Sequence, residues 1–574
     1  MALAPLPTTL DDLDLRSWDT FSPYYEELEE RELTPENARR WLTDWSDLSR
    51  LMREAISWTY LQKALDTADE ERERAYLEMV KQVYPRAMVA DQALKERLLA
   101  LDLPDEDLAL MLRNMENEAS LFRQENVPLL TELRELVNEY DNVTAAMKTT
   151  WNGEEKNLNE LEVFLQSRDR AERERAWKAI MELWLGERET LNRLYADMLR
   201  LRSKIAANAG VPDYRAYAFR ERGRFAYTPE DCFVFHEAIE AEVVPAARRI
   251  LEKKRARLGL DVLRPWDVDV EPGEAPPLRP YETEEELIEG SRTIFEQVDP
   301  ELGRTFAVLA EEALLDLQTR QGKKLGGFCM SLPMRRRPFI FMNGKCLHDD
   351  VQTLLHEAGH AFHAFATLDL PLIWQTRAPM EFNEVASMAL ELLAGPYLPA
   401  EKGGFYTREE AARARIEHLE GIILFLPYMA VVDAFQHWVY THPEEALDSD
   451  RCDAAWDVLW QRFMPVASWE GFEDARETGW HRKLHIFQAP FYYIEYGMAE
   501  VGALQVWRNS LEDPDEALAA YRRALALGGT RTLPELFAAA GAEFRFDAPL
   551  LRELVGLVEE TIERLEAEAT QSPG

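Results

Sequence analysis

From Thr34 to about Ala207 apolar residues recur every third or fourth position without strand-like alternation, which predicts a series of amphipathic helices. Trp41, Trp45, Leu48 and Met52 form one such stripe, and Leu191, Leu194, Met198, Leu201 and Ile205 another; both read as core faces. Leu103-Pro104-Asp105 resembles a helix start and Asn152-Gly153 a turn. No fixed period repeats, so the pattern predicts a helical lobe and not a solenoid. Ala209-Gly210 ends one helix and Pro212-Asp213 opens the next, dividing the chain into an N-terminal helical lobe, 1–207, and a second region, 208–574. Within the latter, His236 lies on a predicted helix and reads as structural. Five prolines between Pro265 and Pro280 mark an extended loop, either a connector or the lining of a cleft.

Strand character surfaces at Gly326–Ser331 and Pro338–Met342, two β-compatible runs separated by Pro333 and Arg335-Arg336-Arg337. They predict a small sheet or hairpin. Its edge could hold a peptide backbone by strand addition, or it could simply pack on the next helix; the pattern leaves both open. That next helix carries the largely apolar Val351–Leu355 and then His356-Glu357-Ala358-Gly359-His360. In a helix the two histidines share a face and can hold one zinc, with Glu357 as general base; the bland alternative is a buried histidine pair.

The metzincin pattern fails, because Ala366 and His363 stand where it requires histidine and glycine. A carboxylate ligand is the other option. Glu381, Glu384 and Glu391 lie near one face of an apolar helix over 379–393, and buried carboxylates want a cation or a donor. Glu384 is the candidate third ligand. Glu391 can accept the N–H of a ligating imidazole, and the first-turn Glu381 is accounted for by the helix dipole. Two histidines and one carboxylate leave a fourth zinc position for water, the arrangement of a catalytic site. Further on, His485 precedes Pro490-Phe491-Tyr492-Tyr493-Ile494-Glu495-Tyr496. With Pro490 as a helix start, Tyr492 and Tyr496 sit one turn apart. Phenolic hydroxyls and a histidine can donate to an oxyanion, though aromatic stripes serve equally as core.

Composition narrows the partners. The 574 residues are 46% hydrophobic and carry 66 basic against 105 acidic side chains, a formal charge of −39. A soluble globular chain of that charge repels phosphate backbones and anionic membrane surfaces, so neither nucleic acid nor a membrane is expected as partner. Four scattered cysteines without C-x-x-C argue for a reducing compartment, and no secretory signal is visible at Met1-Ala-Leu-Ala-Pro-Leu-Pro. The apolar run Gly421–Val432 is shorter than the roughly 20 residues of a membrane span and reads as a core helix. A cytoplasmic location is expected. Nothing in the pattern specifies an oligomeric state.

The order H-E-x-G-H, then E-V-A-S at Glu384, then H-I-F-x-x-P-F-Y-Y-I-x-Y from His485, resembles the oligoendopeptidase F and Pz-peptidase branch of the thimet oligopeptidase family. Gly326–Ser331, Arg337–Phe341 and Tyr214–Glu221 also look like that branch, and the resemblance runs from roughly Gly210 to near Glu560. It implies a mainly α fold, two helical lobes flanking a deep substrate channel, with a small sheet beside the zinc-binding helix. It implies one zinc per chain on His356, His360 and Glu384, and Glu357 as general base. His485, Tyr493 and Tyr496 would bind substrate and stabilise the oxyanion, Tyr496 foremost, while Tyr492 is ambiguous. The implied activity is internal cleavage of short unstructured peptides, bound along the edge strand Gly327–Ser331. Two rivals remain: a helical metallocarboxypeptidase, with Arg335–Arg337 as the cation for a terminal carboxylate, and a non-catalytic zinc-containing peptide-binding protein.

Overall fold

The helical stripes of the first two hundred residues become buried helix faces. In a computed structural model, residues 6–571 are described except 12, 102, 104, 273–275 and 325. Helix α1 (Ala38–Leu65) buries Trp41, Trp45, Leu48 and Met52, and helix Arg188–Ala209 buries Leu191, Leu194, Met198 and Ile205. Gly210 closes that second helix in the left-handed region at φ 76°, and the Asp213 side chain caps the helix Tyr214–Glu221. Asn152 and Gly153 both take positive φ and join the strands Lys148–Trp151 and Glu154–Asn157. Asn-Gly turn chemistry makes this hairpin without the alternation that would have announced its strands. Pro104 lies outside the described residues, whereas Asp105 accepts from the Asp107 N–H at a short turn, Glu106–Leu108. Of the proline-rich loop, residues 273–275 likewise lie outside them.

Packing does not divide at 207/208. Residues 10–115 gather around α1, but Leu129, Tyr140 and the stripe Leu191–Ile205 share one apolar core with helices running on to Leu565. The helix Arg188–Ala209 shares that core, its Tyr195 ring packed against Trp480 and Phe487, and takes no part in the cluster around α1.

Helix α2 (Pro229–Ala238) opens on a Thr228–Asp231 capping box. A second core follows around three strands, β1 (Leu315–Gln318), β2 (Phe328–Leu332) and β3 (Arg337–Gly344), in the order β1-β3-β2. The antiparallel β2–β3 pair is the hairpin read from the sequence. The parallel partner β1 is a four-residue addition too short to show a period. Strand β2 is left at the edge.

Four more helices complete the setting: α3 (His348–Ala366), α4 (Met380–Ala394), α5 (Arg408–Thr441) and α6 (Tyr493–Glu512). Asp350 starts α3 by accepting the N–H groups of Lys345 and Leu347 at 2.7 and 2.8 Å. Among the described residues α5 is the one helix long and apolar enough, by length and composition, to cross a membrane. It outruns the apolar segment 421–432 because helix formers on both sides extend it. Pro427 sits inside it, and its Leu426, Met429, Val432, Phe435 and Val439 are buried in the main core.

Candidate active site

His356 and His360 stand one turn apart on α3, their rings edge to face at 4.9 Å, and α4 lies directly across from them. Contact between the helices depends on Gly359. A Cβ there would lie 2.5 Å from Ser387 Cα and 2.8 Å from Ala386 O, both backbone atoms of α4. This approach brings Glu384 Oε2 to 3.5 Å from His356 Nε2 and 3.6 Å from His360 Nε2. One donor atom from each of the three residues falls within 4.8 Å of the others. Gly359→Ala is expected to destabilise the protein by about 1–3 kcal/mol and weaken its hold on metal, because α4 must move away with Glu384. Thermal melting and metal analysis of the purified variant check both effects.

The donor set fits a divalent metal. Glu384 is only 3% exposed, and its Oε2 has no hydrogen-bond partner although it faces both imidazoles. Its Oε1 accepts from the Tyr492 hydroxyl at 2.9 Å. Burial alone would raise this carboxyl; His360, His356 and Tyr492 outweigh it and hold the group below its ordinary value. On the far side, His356 Nδ1 lies 2.7 Å from Glu391 Oε1, which leaves Nε2 to face the site. The other oxygen of Glu391 pairs with His418 Nε2 at 3.0 Å. Burial opposes ionisation of Glu391, but its two histidine bonds prevail and set it at about 2. Sequence reasoning missed His418, which has no motif around it. Glu391→Gln is expected to lower metal affinity about 10–100-fold with the fold intact, read by competition with a chromogenic chelator.

Glu357 points into the same space beside β2, its Oε1 against Gly327. Burial pushes its carboxyl up to about 7, with the Glu384 charge adding to the effect. A cation on the histidines would pull it back down, the condition in which it can take a proton from water.

These groups lie in a cleft of about 1070 Å³. One wall comes from Arg50 and Arg53 of α1 and from Met111–Glu118, the other from β2, α3 and α4, so the cleft runs between the N-terminal helices and the part of the chain that carries the histidine pair. Of the aromatic cluster, Tyr492 and Tyr496 line it. Tyr493 and His485 do not: they face a second cavity of about 600 Å³, bounded also by Glu391, His418 and Glu500, which Tyr496 shares. Spacing alone put Tyr492 and Tyr496 one turn apart, as they are found, whereas the resemblance favoured Tyr493 and left Tyr492 ambiguous. Placement differs because Pro490 does not start the helix. Phe491 takes φ 64°, a left-handed conformation costing a bulky residue about 1–3 kcal/mol, and α6 begins at Tyr493. The Phe491 N–H bonds Gln436 Oε1 at 2.7 Å and its carbonyl accepts from Arg224, which holds the turn. Tyr492 and Tyr496 are then one turn apart on the cleft face, with Tyr493 rotated off it against Phe425, Tyr428 and Lys483. His485 packs among all three tyrosine rings, and burial with Lys483 and Arg222 nearby lowers it to about 3, so it is neutral. Burial raises the hydroxyls of Tyr492 and Tyr496, which stay protonated as donors.

The arginine run is already committed. Arg335 pairs with Glu54, Arg336 with Asp369 and Arg337 with Glu312.

Relatives place this geometry. The model of peptidase family M3 matches residues 163–556, reaching further towards the N-terminus than the motifs themselves. An oligoendopeptidase F homologue of Lactococcus lactis is 22% identical over 384 residues, 66% of this chain and 61% of that protein. One of Borreliella burgdorferi is 22% identical over 224 residues, 39% of this chain and 37% of that protein, so the chain matches less than two thirds of either. A solved structure of Pz peptidase A with an inhibitor has a TM-score of 0.88 and 26% identity, covering 95% of this chain and 96% of that one. With most of its length under the family model and this shared fold, the chain belongs to peptidase family M3.

Proposed function

We propose that the protein is a zinc-dependent oligoendopeptidase that cuts internal bonds of short, unstructured peptides. The observation that carries this reading is the buried, unpaired Glu384 Oε2 facing His356 and His360 on the wall of the cleft. His356, His360 and Glu384 would hold one zinc, which when bound acidifies water and polarises a carbonyl. Glu357 takes the proton of the attacking water and passes it to the leaving amine. The Tyr496 hydroxyl donates to the oxyanion that develops on the carbonyl, with Tyr492 holding Glu384 in place. The unpaired edge of β2, whose Phe328, Cys329 and Ser331 line the cleft, can pair with a substrate backbone in any sequence. Walls on both sides admit an extended chain and exclude a folded one. The four free cysteines support a reducing, cytoplasmic setting.

A second reading has one observation in its favour. Arg53 and Arg377 both line the cleft, and neither guanidinium has a hydrogen-bond or ion-pair partner among the described residues, so a terminal carboxylate could seat there. Mass spectrometry of the products of a defined decapeptide separates the two. Internal cuts are expected, and stepwise loss of C-terminal residues would replace the endopeptidase with a carboxypeptidase.

A further inference from the structure

Helices α2 and α5 face each other with two potential ligands apiece, one turn apart: Cys232 and His236 on α2, Asp433 and His437 on α5. All four are at most 3% exposed, and none lines the catalytic cleft. Cys232, Asp433 and His437 each offer a ligand atom within 4.8 Å of the other two. His236 Nε2 lies 3.0 Å from Asp433 Oδ2 in hydrogen-bonding geometry. His437 Nε2 is 3.2 Å from the same oxygen, an ion-pair distance off the line of a hydrogen bond, and neither nitrogen of His437 has a hydrogen-bond partner, nor does Asp433 Oδ1. Water is an unsuitable partner, because the rings of Phe219, Phe233 and Phe491 surround His437. Each buried polar atom left unpaired costs about 1–3 kcal/mol, so three together on a potential donor set point to a ligand that satisfies them.

We propose that Cys232, Asp433 and His437 form a second metal site that binds a zinc-class divalent ion and ties α2 to α5. His236 acts as a positioning residue, donating Nε2–H to Asp433 and fixing the carboxylate. The chemistry of the donors selects the ion: a thiolate with imidazole favours zinc over magnesium or calcium. Charge balances as well. Binding releases the Cys232 thiol proton to solvent, and thiolate plus carboxylate neutralise a divalent cation, leaving no net charge in the core. In the free thiol form the Sγ donates to the Thr228 carbonyl at 3.4 Å, an interaction the metal replaces.

The test empties the catalytic site first. A chain carrying His356→Ala and His360→Ala is produced in cobalt-supplemented medium, freed of loose metal by gel filtration, and examined by elemental analysis and near-ultraviolet absorption. One cobalt per chain with a thiolate-to-cobalt charge-transfer band is expected, the band disappearing on further Cys232→Ser substitution. No retained metal, or metal without the band, overturns the proposal. Should the double variant not fold, the unaltered chain is compared with Cys232→Ser: a thiolate band that the substitution removes supports the site, and no band, or a band that survives it, overturns the site.

Discussion

Replacing Glu357 with Gln is expected to lower the turnover of peptide substrates by about 10²–10⁴-fold, the usual share of a positioned general base, while leaving zinc content and peptide binding near those of the parent. Glutamine keeps the size and polarity of a side chain that is buried beside β2 and contributes no ligand atom to the histidine–carboxylate trio. On the proposed mechanism, what it loses is the ability to accept the proton of water and return it to the leaving nitrogen. Steady-state kinetics with an internally quenched peptide, run beside elemental analysis, reads both halves. An unchanged rate would remove Glu357 from the mechanism, and a variant without metal would make its role structural.

Tyr496→Phe is the second large effect, expected to reduce kcat about 10²–10³-fold, as removal of one oxyanion donor does elsewhere, with little change in KM. The hydroxyl lies on the cleft among Tyr492 and His485 and stays protonated, which in the proposed mechanism makes it the donor to the oxyanion. Tyr493→Phe is the control. Its ring faces the second cavity and carries the Lys483 ammonium at 4.0 Å, an interaction phenylalanine preserves, so its kcat should remain within a few-fold of the parent. Equal losses in both variants would contradict the division of labour that places Tyr496 on the cleft and Tyr493 against the second cavity.

Much of this site is legible in the chain because helical spacing is a local property. His356 and His360 at i and i+4 share a face whatever surrounds them, and Glu384 and Glu391, seven residues apart, share another. The short Gly359 side of α3 and the apolar body of α4 then allow the two faces to meet. Tyr492 and Tyr493 were harder to assign, since their directions depend on Phe491 in a left-handed turn held by Arg224 and Gln436, residues 267 and 55 positions away in the chain. No local pattern encodes that. His418 is invisible for the same reason: its role comes from an ion pair with Glu391 and not from its neighbours in sequence. The apolar stripe of the helix Arg188–Ala209 says that a face is covered and not by what, so its share in a core that runs on to Leu565 is not legible locally.

The most direct test of the account is to strip the protein of metal with a chelator, restore zinc, and follow a pool of mixed oligopeptides by mass spectrometry. Internal cleavage that vanishes on stripping and returns with zinc is the predicted result, and zinc-loaded, folded protein that leaves the pool uncut would contradict it.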